Sequence, residues 1–270
     1  MNCCICGPVK DCAPYLNKVL TNMEKIGSLF DSYKIVIYYD KSSDNSLQIL
    51  KDYQKTNPNN FLLYVNQNKQ SPFRTHNLAI ARNFCLQYVK QNIETFPYFI
   101  MMDMDDVNCK NLNLEPLKES LNYELWDGLS FNTTPKYYDI WGLSIWPYCF
   151  SYNHFDKNVQ FYDIIQDYVT KKLDKLPEGE LLPVISSFNG FSIYRTNKFL
   201  NTYYDGRVRL DLIPSRNLIA HSMATKSKLV FKKYVTVDGN YEDCEHRAFH
   251  IKARQNSGAR IMISPKVLFN

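Results

Sequence analysis

Over its first hundred residues the chain alternates short apolar runs with longer stretches of helical period. The run at 2–6 predicts a strand, and Gly7-Pro8 lead from it into a helical pattern carrying Tyr15, Leu16, Val19, Leu20 and Met23. Residues 33–39 (YKIVIYY) are nearly all β-branched or aromatic, as expected of a strand buried on both faces of a parallel sheet. That run ends at Asp40, and in the polar segment that follows Ser43 or Asp44 can cap a helix over 46–55. Residues 61–65 predict a third strand, and 75–93 an amphipathic helix with Leu78, Ala81, Cys85, Leu86 and Val89 on its apolar side. A fourth strand, 98–102, stops at Asp103-Met104-Asp105-Asp106. Strict alternation of strand and helix is the beginning of a doubly wound α/β sheet, whose ligands bind beyond the carboxyl ends of the strands. Asp40 and residues 103–106 fall there. The second half is less regular. Strands are expected at 126–132, 142–146 and 187–194, a helix near 158–173, a helix at 243–256 and a last strand at 259–263. No repeat, low-complexity tract or clear linker interrupts the 270 residues, so a single domain is expected.

Composition changes this picture little. The hydrophobic fraction of 45% and charged fraction of 22% are ordinary for a globular protein. The aromatic fraction of 14% exceeds what a core needs; a cleft that stacks on sugar rings or bases accounts for it, and so does an AT-rich genome. The net charge of +5 is scattered, with no Lys/Arg block, so a phosphate-bearing small molecule is expected as partner and a nucleic acid is not. No stretch approaches the roughly 20 apolar residues of a membrane span. The N-terminus lacks a basic region and a cleavage site, so it reads as a strand and the expected compartment is the cytoplasm. Cys3, Cys4, Cys6 and Cys12 lie close together, but residues 3 and 4 of a strand point to opposite faces, and the other four cysteines are solitary. Reduced thiols fit this pattern better than a zinc site.

Candidate chemistry concentrates at 99–106 (FIMMDMDD). Three carboxylates within four positions, at the end of a buried strand, repel one another unless a cation neutralises them. Mg²⁺ and Mn²⁺ prefer oxygen ligands and bind through one or two carboxylates plus substrate phosphates. Such a site would hold a diphosphate and offset the charge that builds on it as a leaving group. The alternative is a solvated acidic turn.

In these segments the chain resembles the GT-A glycosyltransferases, especially their large family-2-like group. Residues 38–46 (YYDKSSDNS) are similar to that group's V-D-D-G-S-T-D-N-S segment, Arg82-Asn83 to its A-R-N helix, and Asp103-Met104-Asp105 to its D-x-D. Residues 241–245 (YEDCE) resemble G-E-D-x-D/E, and 258–265 (GARIMISP) the G-x-x-I-x-x-x-P strand behind it. The matches run in family order and leave out only about 133–185.

The resemblance implies a GT-A fold, a mixed sheet in one domain, with residues 1–108 as the nucleotide-sugar half and 109–270 as the acceptor half. It implies Mn²⁺ or Mg²⁺ held by Asp103 and Asp105, and a nucleobase contact from Asp40, which serves uracil or guanine. Arg82 would approach the diphosphate or the D-x-D loop. An inverting enzyme needs a carboxylate to take the acceptor's proton; Asp243 matches the family position and Glu245 is the alternative. GT-A enzymes often add a C-terminal His to the metal shell. Here His250 is the first candidate, with His246 on the same helix face and His221 as a third. Residues 137–141 (YYDIW) and 188–191 (FNGF), with Cys244-Glu245, are instead similar to the fungal capsule-associated mannosyltransferases, which use GDP-mannose and retain configuration. Asn189-Gly190 would let backbone approach the donor sugar.

The expected activity is therefore transfer of a sugar from a nucleotide sugar, UDP-linked in the first place and GDP-linked in the second, to a glycan or glycoprotein. Residues 126–155, with all three Trp, serve either acceptor stacking or the core. The rivals are a sugar nucleotidyltransferase, which the lone Gly7 in place of a Gly-rich loop disfavours, and a non-catalytic sugar-binding protein, which the intact acidic residues disfavour.

Overall fold

A computed structural model describes residues 1–68, 71–150, 160–226 and 242–270. The expected alternation is present: β1 (Asn2–Val9), α1 (Ala13–Gly27), β2 (Ser32–Tyr39), α2 (Ser46–Thr56), β3 (Phe61–Val65), α3 (Arg74–Gln91) and β4 (Tyr98–Met102). The rest comprises α4 (Glu115–Ser120), β5 (Gly128–Asn132), α5 (Gln160–Leu173), β6 (Leu182–Val184), β7 (Phe191–Arg195), α6 (Ser215–Thr225), α7 (Glu245–Ser257) and β8 (Ile261–Val267).

Among the described residues eight strands join one sheet, in the order β3-β2-β1-β4-β7-β5-β8-β6. β1 is central to the first half, parallel to β2 on one side and β4 on the other, with Cys6 opposite both Val36 and Met101. β7 then runs antiparallel to β4 and to β5. β8 is parallel to β5 and antiparallel to β6.

Apolar layers cover both faces. On one, Leu16, Val19, Leu20 and Met23 of α1 pack over Ile5, Ile35 and Ile37. On the other, Ala81, Cys85, Leu86 and Val89 of α3 and Phe249 and Ala253 of α7 cover Val36, Phe99 and Tyr194. Burying each Leu- or Ile-sized side chain contributes about 1.5–3 kcal/mol, which is why β4, buried at all five positions, reads as an unbroken apolar run. Among the described residues no helix is long and apolar enough to cross a membrane.

Two expected strands change. Residues 142–146 form only isolated bridges, Ser144 with Ser186 and Ile145 with Tyr148, and Pro147 supplies no amide to extend a ladder. The strand expected at 187–194 begins only at Phe191, because Asn189 (φ 57) and Gly190 (φ 79) leave the extended region.

Candidate active site

The turn after β4 is clamped from β7's side. The Asp103 amide donates to the Gly190 carbonyl at 2.8 Å, and the Asn108 side-chain amide donates to the carbonyls of Asp103 (2.8 Å) and Gly190 (2.7 Å). A Cβ on Gly190 would lie 2.7 Å from Val107, so only glycine lets this backbone approach. The turn thus presents Asp103 and Asp105 at the end of the sheet. Burial, then the charge of Asp103, push the Asp105 carboxyl up to about 6. Among the described residues no three His, Cys, Asp or Glu side chains form a metal-holding group.

A cleft of about 400 Å³ lies beyond the carboxyl ends of β1, β2 and β4, where strand order reverses about β1. Asp40, Asp103 and Asp105 line it together, with Lys10, Arg74 and Asn77. Asp40 uses Oδ1 to accept from the Lys41 amide (3.1 Å) and from Asn66 (2.9 Å). Arg74 carries no periodic or motif signal in the sequence. At the start of α3 it is a cation facing the cleft, and its charge partly opposes the upward shift of Asp105.

Arg82 takes the D-x-D alternative, not the donor cleft. Its Nη2 meets Asp103 Oδ1 at 2.8 Å and its Nε meets Glu245 Oε1 at 2.7 Å. The guanidinium lies 4.6 Å from the Phe188 ring centre, and its two carboxylate partners hold it protonated. Burial pushes Glu245 up, against the pull of Arg82. Asp243 is equally buried: Oδ2 meets Arg247 Nε and Oδ1 accepts from the Cys244 amide, both at 2.8 Å. Tyr241, part of the same motif, lies outside the described residues, as do 151–155 of the aromatic segment.

One expectation needs correction, and another concerns backbone alone. The Asn189 side chain is engaged within the protein: Oδ1 accepts from the amides of Tyr138 (3.2 Å) and Asp139 (2.8 Å), and Nδ2 donates to the Phe131 carbonyl (2.6 Å). It pins the 137–139 loop, which leaves main chain for the approach expected at 189–190. His250 offers no ring nitrogen to a cation, because Ser186 engages Nδ1 (3.0 Å) and Tyr194 engages Nε2 (3.1 Å). Burial, then the charges of Arg254 and Arg247, push its pKa down to about 3. His246 is stacked on Phe188 with ring centres 3.7 Å apart, and His221 bonds to the Cys149 amide; both are buried. Of the three Trp, Trp126 is a core residue bonded to the Ser120 carbonyl, whereas Trp146 is exposed.

Asp139 carries no site signal of its own in the sequence, although it stands within residues 137–141. Its carboxylate accepts from the Gly142 amide at 2.9 Å, and burial and then Asp103 raise its pKa.

The glycosyl transferase family 2 model matches residues 4–169, more than half of the chain and all of the 400 Å³ cleft, ending before Asp243 and Glu245. No curated protein matches. Among solved structures, TarS of S. aureus is similar over 100% of this chain and 36% of its own, at 16% identity and TM-score 0.51. TarS 1-349 in complex with UDP is similar over 100% of this chain and 59% of its own, at 14% identity and TM-score 0.50. A mannosyltransferase from Pyrobaculum calidifontis, in complex with GDP-Man and Mn²⁺, covers 75% of this chain and 47% of its own, at 12% identity and TM-score 0.42. The chain thus spans less than two thirds of each of these proteins, and the TarS likeness is one of fold, the GT-A α/β arrangement with its mixed sheet. With the Asp40 strand end and the 103–105 turn both inside the matched segment, the chain belongs to glycosyl transferase family 2.

Proposed function

We propose that the protein is a divalent-metal-dependent glycosyltransferase that moves a sugar from a nucleotide sugar, UDP-linked in the first place, to a hydroxyl of a glycan or glycoprotein, with inversion. The observation that carries this reading is the gathering of Asp40, Asp103, Asp105 and Arg74 around one cleft at the strand-order reversal. The residues fit Mn²⁺ or Mg²⁺. Their donors are carboxylate oxygens, too few to cage an ion without substrate phosphates, which is how these ions are commonly held. The ion would offset charge on the departing diphosphate. UDP, bound in the structure of TarS 1-349, supports the choice of nucleotide.

In this reading residues 1–108 bind the donor and 109–270 the acceptor. Asp40 accepts from the nucleobase, and Arg74 faces the diphosphate. The acceptor oxygen attacks the anomeric carbon, the bond to diphosphate oxygen breaks, and Asp243 takes the hydroxyl proton. Asp243 is paired with Arg247, whereas Glu245 is tied to Arg82 and through it to Asp103.

Calorimetry with UDP, with and without Mn²⁺, tests the donor site. Wild type is expected to bind more tightly with Mn²⁺, and Asp105→Ala to lose that gain while its thermal unfolding stays cooperative. Asp105→Ala binding UDP as tightly as wild type in Mn²⁺ overturns the metal reading.

A further inference from the structure

A second cleft, of about 350 Å³, adjoins the same turn: Asp105 lines the first cleft, and its neighbour Asp106 lines the second. Thr133, Lys136 and Tyr138 after β5, Lys110 after β4 and Gln166 of α5 line it as well. Tyr138 is 52% exposed in this cleft although its loop is pinned. Its amide and that of Asp139 both donate to Asn189 Oδ1. Its carbonyl accepts from the Tyr162 hydroxyl at 3.1 Å, and the preceding carbonyl, of Tyr137, accepts from Gln166 at 2.9 Å. The ring is therefore presented by a backbone held on both sides. It also sits within electrostatic reach of the donor-side carboxylates: partial burial, then Asp103 and Asp105, push its phenol up to about 12.

Resting on the transferase reading above, we infer that this second cleft is the acceptor subsite and that Tyr138 is the platform on which an acceptor pyranose ring stacks. An aromatic face beside hydroxyl, amide and ammonium groups matches a ring with one C–H face and a polar edge. It does not match an apolar chain. Lys136, tied to Asp167 at 2.8 Å, and Gln166, tied to the Tyr137 carbonyl, form a preordered rim for sugar hydroxyls. Asp105 lines one cleft and Asp106 the other, so donor and acceptor would lie on either side of one turn.

Saturation-transfer NMR tests this with three probes at millimolar concentration, the methyl glycosides of glucose, mannose and N-acetylglucosamine, in the presence of Mn²⁺ and saturating UDP. At least one glycoside should bind without being displaced by further UDP. Tyr138→Ala should weaken it about 3- to 10-fold, whereas Tyr138→Phe, which keeps the ring, should bind as wild type does. Retained binding in a Tyr138→Ala protein of unchanged melting temperature overturns the assignment. So does displacement of the glycoside by UDP, or the absence of binding by all three. Failure of the transferase reading registers separately, as absence of UDP binding in calorimetry.

Discussion

Burial and the charge of Asp103 move the Asp105 carboxyl from 3.8 to about 6, and this single shift gives two pH dependences of opposite sign. Without metal, the folded state holds this proton more tightly than the unfolded chain does. The group's contribution to stability is therefore fully present below about 3.8 and is lost as pH rises through about 6. With metal, only the ionised carboxylate is a ligand, so Mn²⁺-dependent UDP affinity is expected to fall as pH drops through about 6. Asp106 also raises this pKa. Asp106→Asn should move the affinity profile to lower pH, as calorimetry across pH 4.5–7.5 would show; an unmoved profile would assign the pH dependence to another group. The acidic turn and Asp40 were legible in the sequence because each ends a buried apolar run, and a charge at such an end must face a strand terminus. Arg74 was not, since a polar residue at a helix start breaks no pattern. For His250 the spacing assigns only a helix face, and that face meets Ser186 and Tyr194.

Elements of the first half were legible almost to their ends, because strands buried on both faces give unbroken apolar runs and the helices between them keep one apolar side. In the second half β6 and α4 have three and six residues, too few to show a period, and α6 went unread as well. The buried face of α3 holds a surprise, since Arg82 lies among its apolar residues and reaches both Asp103 and Glu245. The two carboxylates just before and at the start of α7 consequently play different parts, and their amide variants should separate. Asp243→Asn should lower kcat by about 10²–10⁴ with UDP affinity retained, as expected of a lost proton acceptor. It should also cost stability, because its pair with Arg247 is just as buried as that of Glu245 with Arg82. Glu245→Gln should release Arg82 from one partner, which disturbs Asp103, so UDP affinity in Mn²⁺ falls along with kcat. Stability should fall as well, by up to about 3–5 kcal/mol in urea, because a buried ion pair has been broken. If Glu245→Gln alone abolishes turnover while UDP affinity holds, Glu245 is the proton acceptor. The anomeric configuration of the product, read from NMR couplings, must then agree.

At the scale of the whole molecule, β1–β4 make one side of the sheet and β5–β8 the other, joined by the antiparallel pair of β4 and β7. The proposed donor residues come from the first side, while Asp243, Glu245 and Tyr138 follow from the second, so the site depends on contacts that fix one side against the other. A concentrated set lies at the N-terminus of α3. Glu242 accepts from the amides of Arg74 (3.0 Å) and Thr75 (3.3 Å), placing a carboxylate where the helix dipole favours it. The Gly206 carbonyl accepts from the Thr75 hydroxyl at 2.7 Å and from the Asp243 amide at 3.0 Å. One backbone oxygen thus ties the helix that carries Arg74 to the proposed proton acceptor. A Cβ on Gly206 would overlap the Thr75 carbonyl group, which is main chain and has no rotamer by which to retreat. Gly206→Ala should therefore displace either α3's first turn or the 205–207 segment. The expected loss is about 1–3 kcal/mol in urea denaturation, typical of overpacking against a rigid neighbour. Because Arg74 and Asp243 share the contact, UDP affinity and kcat should both decline, in contrast to Asp243→Asn, where only kcat does. A Gly206→Ala protein with wild-type stability and wild-type UDP affinity would show that the two sides of the sheet are fixed elsewhere, and that the oxygen at 206 does not couple donor and acceptor groups.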